Sequence, residues 1–432
     1  LAIESRGNVP PPQVSEQGNV VVRRYRVDNS PAAPNEPGSA PVQEFLPSVR
    51  IGWGISLERR MRALADTVTE VSPIDPRITR IAERIVEPLP AQKRTERARR
   101  LYRWVLGNIE EGEESDGRRV VTAKRGNRWR AFITLSRSLG MQASYAVAKS
   151  RLAAPPIGPL SRASLFSEPL LRLETESGPL WLTLNSKYAP FGYVPAEVRG
   201  MPAYLLSGER PELVNTPSQG APDSIVYEGT GKLAADGSAR LNLVQRYYGK
   251  YATSLRGGLA EVPERQVRDV LEARLLGPAL RGARLVNHKV EALEQLDAPL
   301  TLRMTVDVPS LAQQNGSGLL LEPPYAPRLS QLATLPARQT PLLLGDATHQ
   351  EVRLSLELPP QAQVAAQPKP RVVHDGERQV SINDRLEGRL LVLERVIAFP
   401  AGRIQPAEYA NFARFVRSAE DALSTSIRIS LR

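Results

Sequence analysis

The chain has 432 residues, enough for two or three domains, each with its own core. Its apolar fraction of 41% is that of an ordinary globular protein, which argues against disorder, and it has no run of about 18 apolar residues to span a membrane. The formal charge is +11 and cysteine is absent, which excludes disulfides, thiolate metal sites and any cysteine nucleophile.

The charge does not point to nucleic acid. Of 57 basic residues only eight are lysine, and the arginines alternate with acids and neutral residues, as along Arg94–Tyr102. That is the pattern of a solvated helix face. No helix-turn-helix, zinc-finger or RNA-recognition pattern accompanies it, so no nucleic-acid partner is expected. A weak attraction to anionic envelope surfaces suits the charge better. The first residue is Leu rather than Met, which reads as a processed or excised fragment.

Taken in order, residues 1–18, with Pro10-Pro11-Pro12, read as a loose end. Asn19–Val27 reads as a strand and Ser30–Pro47, broken by five prolines, as an extended connector. Helices are predicted over Ser56–Val71, from Asp75-Pro76 to the prolines at 88 and 90, and over Thr95–Ile109. The acidic run Glu110–Gly117 lacks the Asp-x-Asp-x-Asp-Gly spacing of a calcium loop and reads as solvated. Ala131, Leu135 and Leu139 repeat every four residues before Gly140, which predicts a helix opening from the loop Arg125-Gly126-Asn127. Strands follow over Gln142–Lys149, Glu168–Glu174 and Leu180–Leu184, the last two forming a hairpin.

From Ser224 the pattern turns to β. Ile225–Lys232 and Ala239–Tyr248 flank Ala235-Asp236-Gly237, a hairpin signal. A helix is predicted over Pro263–Leu275, then strands at Arg284–Ala292, Leu300–Val308, Val352–Leu358, Val380–Asp384 and Leu390–Ile397. A helix over Pro406–Ala422, with Tyr409, Phe412, Phe415 and Val416 on one face, precedes a last strand at Ser424–Leu431. No repeat of fixed period is present.

Gly126-Asn127-Arg128 opening a helix ahead of three strands resembles the core of a bacterial transglutaminase-like (papain-like thiol) domain, where Gly-Asp-Cys opens such a helix. The Pro-rich connector, the segment Tyr188–Pro195 with Arg199-Gly200, and Tyr247–Ala252 are similar to the branch of that family with a domain of unknown function 3857 (DUF3857). The resemblance implies an α+β fold: a papain/transglutaminase-like core of helices plus a small antiparallel sheet, followed by a β-rich C-terminal region. The implied domains are 1–54, the last strand and connector of an otherwise missing N-terminal β-domain; 55–220, the core; and 221–432, as one unit or two divided near 310–345.

In that family a thiolate, an imidazole base and an orienting carboxylate form the site. The resemblance places the His in Phe-Asn-His and the Asp in Trp-Leu-Asp; the matching segments here are Phe166-Ser167-Glu168 and Trp181-Leu182-Thr183. The three positions therefore hold Arg128, Glu168 and Thr183. Arginine stays protonated and is no nucleophile. All three histidines, His288, His349 and His374, lie beyond residue 280, so no catalytic residue, metal or cofactor is assigned. The vacated site is expected to hold an Arg128–Glu168 bridge at roughly 2.7–3.5 Å, the alternative being Arg128 in solvent. With Asn127, Trp129, Trp181 and Thr183 these two make up the candidate binding residues, along a remnant groove.

Three functions follow. The first is a catalytically inactive binding or scaffold module, exported to the periplasm or cell envelope, whose partners are other proteins or a peptide segment. The second is a hydrolase with a non-thiol mechanism acting on envelope peptide or glycan, which needs a convergent pair of acids, one with a raised pKa. The third is a purely structural assembly module. The sequence does not specify the oligomeric state.

Overall fold

A computed structural model describes the chain apart from residues 31, 55, 69–72, 156–159, 161, 208–209, 221, 346 and 432. The N-terminal stretch is more ordered than its prolines suggest. Strand β1 (Ala2–Arg6) pairs antiparallel with β4 (Ser48–Gly52), which the sequence reading had placed in a loose end and beyond a connector. Between them β2 (Gln13–Gln17) and β3 (Val20–Arg24) form a hairpin with almost every residue exposed. The connector itself is stitched down. Ala40 N–H donates to the Pro341 carbonyl (3.0 Å) and Leu343 N–H to that of Gly38 (2.8 Å).

Five helices follow: α1 (Leu57–Val68), α2 (Pro76–Val86), α3 (Arg94–Asn108), α4 (Gly117–Ala123) and α5 (Arg128–Ser138). The predicted end of the first helix, at Val71, lies outside the described residues. Asp75 caps α2 by accepting from Arg77 N–H, with Pro76 already holding a helical φ at the first position. Helix α4 has no counterpart among the predicted elements; only its first residue, Gly117, belongs to the acidic run read as solvated. Asp116 starts the helix, its carboxylate accepting from the N–H groups of Arg118 and Arg119.

Strands β5 (Ala143–Lys149), β6 (Phe166–Thr175), β7 (Gly178–Leu182), β8 (Pro202–Leu205) and β9 (Glu212–Asn215) make an antiparallel sheet in the order β7-β6-β5-β8-β9. Its two faces are filled differently because side chains alternate along each strand. Leu171, Leu173 and Leu182 meet Phe132 and Leu135 of α5 together with residues of α2 and α3. Ala146, Ala148, Leu170, Trp181 and Leu205 form a second core on the other face, closed by Val194 and Val198. This is the predicted order of helices followed by a small antiparallel sheet.

The remainder is dominated by a nine-stranded sheet. Strands Arg284–Glu291, Leu300–Val308, Ala239–Tyr247 and Ser224–Leu233 form one antiparallel half; Thr348–Glu357, Leu390–Phe399, Arg378–Ile382 and Arg371–Asp375 form most of the other. The halves join through a parallel pair, Ser224–Leu233 with Thr348–Glu357, so one sheet takes strands from both sides of residues 310–345. Helix Pro406–Leu423 covers one end through Tyr409, Phe412 and Val416. The final strand, Ile427–Leu431, returns to pair with Gly318–Leu321. The molecule is thus mixed α and β, with many antiparallel sheets and a β-rich C-terminal region.

Candidate functional site

The loop before α5 folds under backbone control. Glu110 N–H donates to the Lys124 carbonyl (2.9 Å), Gly126 N–H to that of Glu110 (2.8 Å), and Asn127 N–H to that of Glu114 (2.8 Å). Gly126 sits at φ +135, where a Cβ would approach the Glu114 carbonyl oxygen to 2.6 Å, so the position is restricted to glycine. Asn127 is consumed as the cap, its side-chain oxygen accepting from Arg130 N–H at 3.1 Å.

Arg128 does not reach Glu168. Its Nε donates to the Ile109 carbonyl at 3.0 Å, and Nη1 lies 3.4 Å from the Glu111 carboxylate. Its side chain is only 13% exposed, so the solvent-facing alternative is also set aside. The cause lies in the sheet. Glu168 pairs in register with Ala148 and stands two residues before Leu170, on the face that points away from α5. There its Oε1 accepts from the neighbouring Ser167 hydroxyl (3.0 Å).

The other candidates are scattered in the same way. Trp129 packs under α5, edge-on to Tyr145 with ring centroids 5.8 Å apart. Trp181 fills the core of the opposite face. The two tryptophans therefore line no common groove, and both are core residues. Thr183 is buried; its carbonyl accepts from the Tyr102 hydroxyl (3.0 Å) and its Oγ1 from Asn185 N–H (3.3 Å). The expected ion pair and remnant groove are not formed.

What does gather charge is a cluster that the sequence reading missed, on the Glu168 side of the sheet. The Asp223 side chain, almost wholly buried, accepts from the Tyr193 hydroxyl (2.9 Å) and Lys250 N–H (2.7 Å), and its other oxygen lies 3.5 Å from Arg199. Nearby, burial raises the Glu197 carboxyl above the usual range, and the Glu168 and Asp223 charges add to the effect. Residues spread over positions 168–250 meet here through tertiary folding, and no local motif marks them. The histidines lie elsewhere, His349 beside Glu351 at 3.1 Å. Among the described residues no group of three or more His, Cys, Asp or Glu side chains is arranged to hold a metal ion, and no helix is long and apolar enough to cross a membrane.

Residues 318–429 match the model of a family described as a domain of unknown function with solved structure, DUF3858. That span opens on the strand Gly318–Leu321 and closes on the strand Ile427–Leu431 that pairs with it. The whole chain also resembles the crystal structure of a "putative protease" from Parabacteroides distasonis, with a TM-score of 0.58 and 11% identity, covering 100% of this chain and 70% of that one. At that identity the likeness concerns the fold alone. No curated protein matches the chain.

Proposed function

We propose that this chain is a catalytically inactive, transglutaminase-like binding module of the bacterial cell envelope, of the DUF3857-bearing type. One observation carries the reading. The helix start that would hold a thiolate presents Arg128, fastened to the Ile109 carbonyl and Glu111, while Glu168 faces the other side of the sheet. A guanidinium so placed neither attacks a carbonyl nor takes up a proton. The likeness to the solved "putative protease" supports descent of this fold from a peptide-processing frame. The match to DUF3858 supports the same grouping for the C-terminal part. Export and an envelope location rest on the family resemblance.

A second reading is favoured by Glu197, whose raised carboxyl beside the Glu168 charge suits an acid pair in a non-thiol hydrolase. One experiment separates the two. The purified chain and its Glu197→Gln variant are incubated with a peptide library and with cell-wall fragments, and products are read by mass spectrometry. The binding-module reading expects no turnover by either protein. Turnover that disappears in the Glu197→Gln variant would establish the acid pair instead.

A further inference from the structure

Away from the sheet just described, a cleft of about 1220 Å³ opens between β4, the start of α1 and the segment after residue 160. Four arginines line it, Arg50, Arg59, Arg60 and Arg162, and no carboxylate does so among the described residues. The Arg162 side chain is nine-tenths buried and Arg50 is partly buried, yet Nε of the first and Nη1 of the second have no hydrogen-bond partner in the structure. Behind them Glu4 accepts from Arg162 Nη2 at 3.3 Å. Buried guanidinium N–H groups without partners are costly, and an incoming anion offsets that cost.

The geometry points to this cleft as a docking site for an acidic, extended peptide segment. Its volume exceeds the roughly 300–1,000 Å³ of small-molecule pockets, and its cations are spread over three elements, so one small anion would leave most of them unanswered. Strand β4 pairs only with β1 among the described residues, so its other edge has no strand partner and could take an added strand. Alternation then does the sorting. Ile51 and Trp53, 52% and 72% exposed, offer apolar contacts to every second residue of the guest, and Arg50 faces the residues between.

The proposal rests on the binding-module reading and gives it a partner class. The test titrates the full chain with a fluorescein-labelled octapeptide of alternating Glu and Val, read by anisotropy. A Lys/Val octapeptide and inorganic tripolyphosphate serve as counter-probes. The same titration is run on an Arg59→Ala/Arg60→Ala variant, whose replaced side chains are exposed and whose fold is checked by circular dichroism. Saturable binding of the Glu/Val peptide is expected, weakened about tenfold or more by the double substitution and by high salt, with no binding of the Lys/Val peptide. No saturable binding, or an affinity that the variant leaves unchanged, overturns the proposal. Displacement by tripolyphosphate as effective as by unlabelled peptide also overturns it, making the cleft a plain anion site. Cleavage of the Glu/Val peptide would overturn the non-catalytic reading and leave the cleft assignment standing.

Discussion

At the mouth of α5 a single guanidinium sets the chemistry. Arg128 ties the helix start to Ile109 and Glu111, where a nucleophile would need an open approach. A few residues upstream, Asp116 shows what a carboxylate does at a helix start. Its hydrogen bonds with the Arg118 side chain, with the N–H groups of Arg118 and Arg119 adding, hold its carboxyl at about 2. The ordinary value is about 3.9. The group is depressed, so its contribution to stability is present above the unfolded value and is lost as pH falls through the folded one. Thermal unfolding should therefore show a loss of stability between about pH 4 and pH 2 that is smaller in Asp116→Asn, since Asn still caps but does not titrate. Equal losses in both proteins would show that the Asp116 charge is irrelevant.

Between elements, α4 and α5 meet closely. A Cβ at Gly117 would fall 1.9 Å from Thr134 Oγ1 and 2.9 Å from the Arg130 carbonyl oxygen. Gly117→Ala should cost about 1–3 kcal/mol of unfolding free energy in urea, and adding Thr134→Ala should return a good part of it. Additive effects would mean that the helices do not meet there. The same pair of helices marks how far the sequence could be read. Helix α5 was legible because Ala131, Leu135 and Leu139 keep a four-residue period over a full core face. Helix α4 was not, because seven residues opening on glycine carry little period and only Asp116 announces them. The long strands with an Asp-Gly turn, Ser224–Leu233 and Ala239–Tyr247, were legible; the four-residue β8 and β9 were not. The sequence named candidate positions, but not the faces on which they stand. The face of Glu168 follows from its pairing with Ala148, which only the folded register reveals.

Over the whole molecule, carboxylates clamp distant parts of the chain together. Asp297, in the C-terminal half, lies 2.6 Å from Arg103 of α3, bridges Arg99 and accepts from Phe191 N–H (2.9 Å). Arg256, fully buried, holds the loop that presents it by donating to the carbonyls of Ala292, Gln295, Leu296 and Ala298. Glu36, in the connector, accepts from Gln339 and Thr340. Burial pushes the carboxyls of both Asp297 and Glu36 upward, but their hydrogen bonds outweigh it and hold both below the usual range. Both clamps are therefore intact above the unfolded carboxylate value of about 4 and open as pH falls below it. Hydrogen exchange should rise in the segments 36–44, 189–192 and 338–344 on acidification before the sheets exchange, and Asp297→Asn should raise it in 189–192 at neutral pH. Exchange that rises uniformly across the chain would argue against discrete clamps.

The central claim is that Arg128 and Glu168, two of the positions proposed to match a thiol triad, lie on different sides of the sheet and do not meet. The absence of native cysteine allows a direct measurement. A disulfide needs Cα atoms within about 7 Å and Cβ vectors that face one another. Arg128→Cys/Glu168→Cys is oxidised beside a control pair, Glu174→Cys/Pro179→Cys, whose residues are register partners across β6 and β7. Free thiols are then counted by mass spectrometry. The account expects the control to close and the 128/168 pair to remain reduced. Quantitative closure of the 128/168 pair would contradict it and restore a single, convergent site.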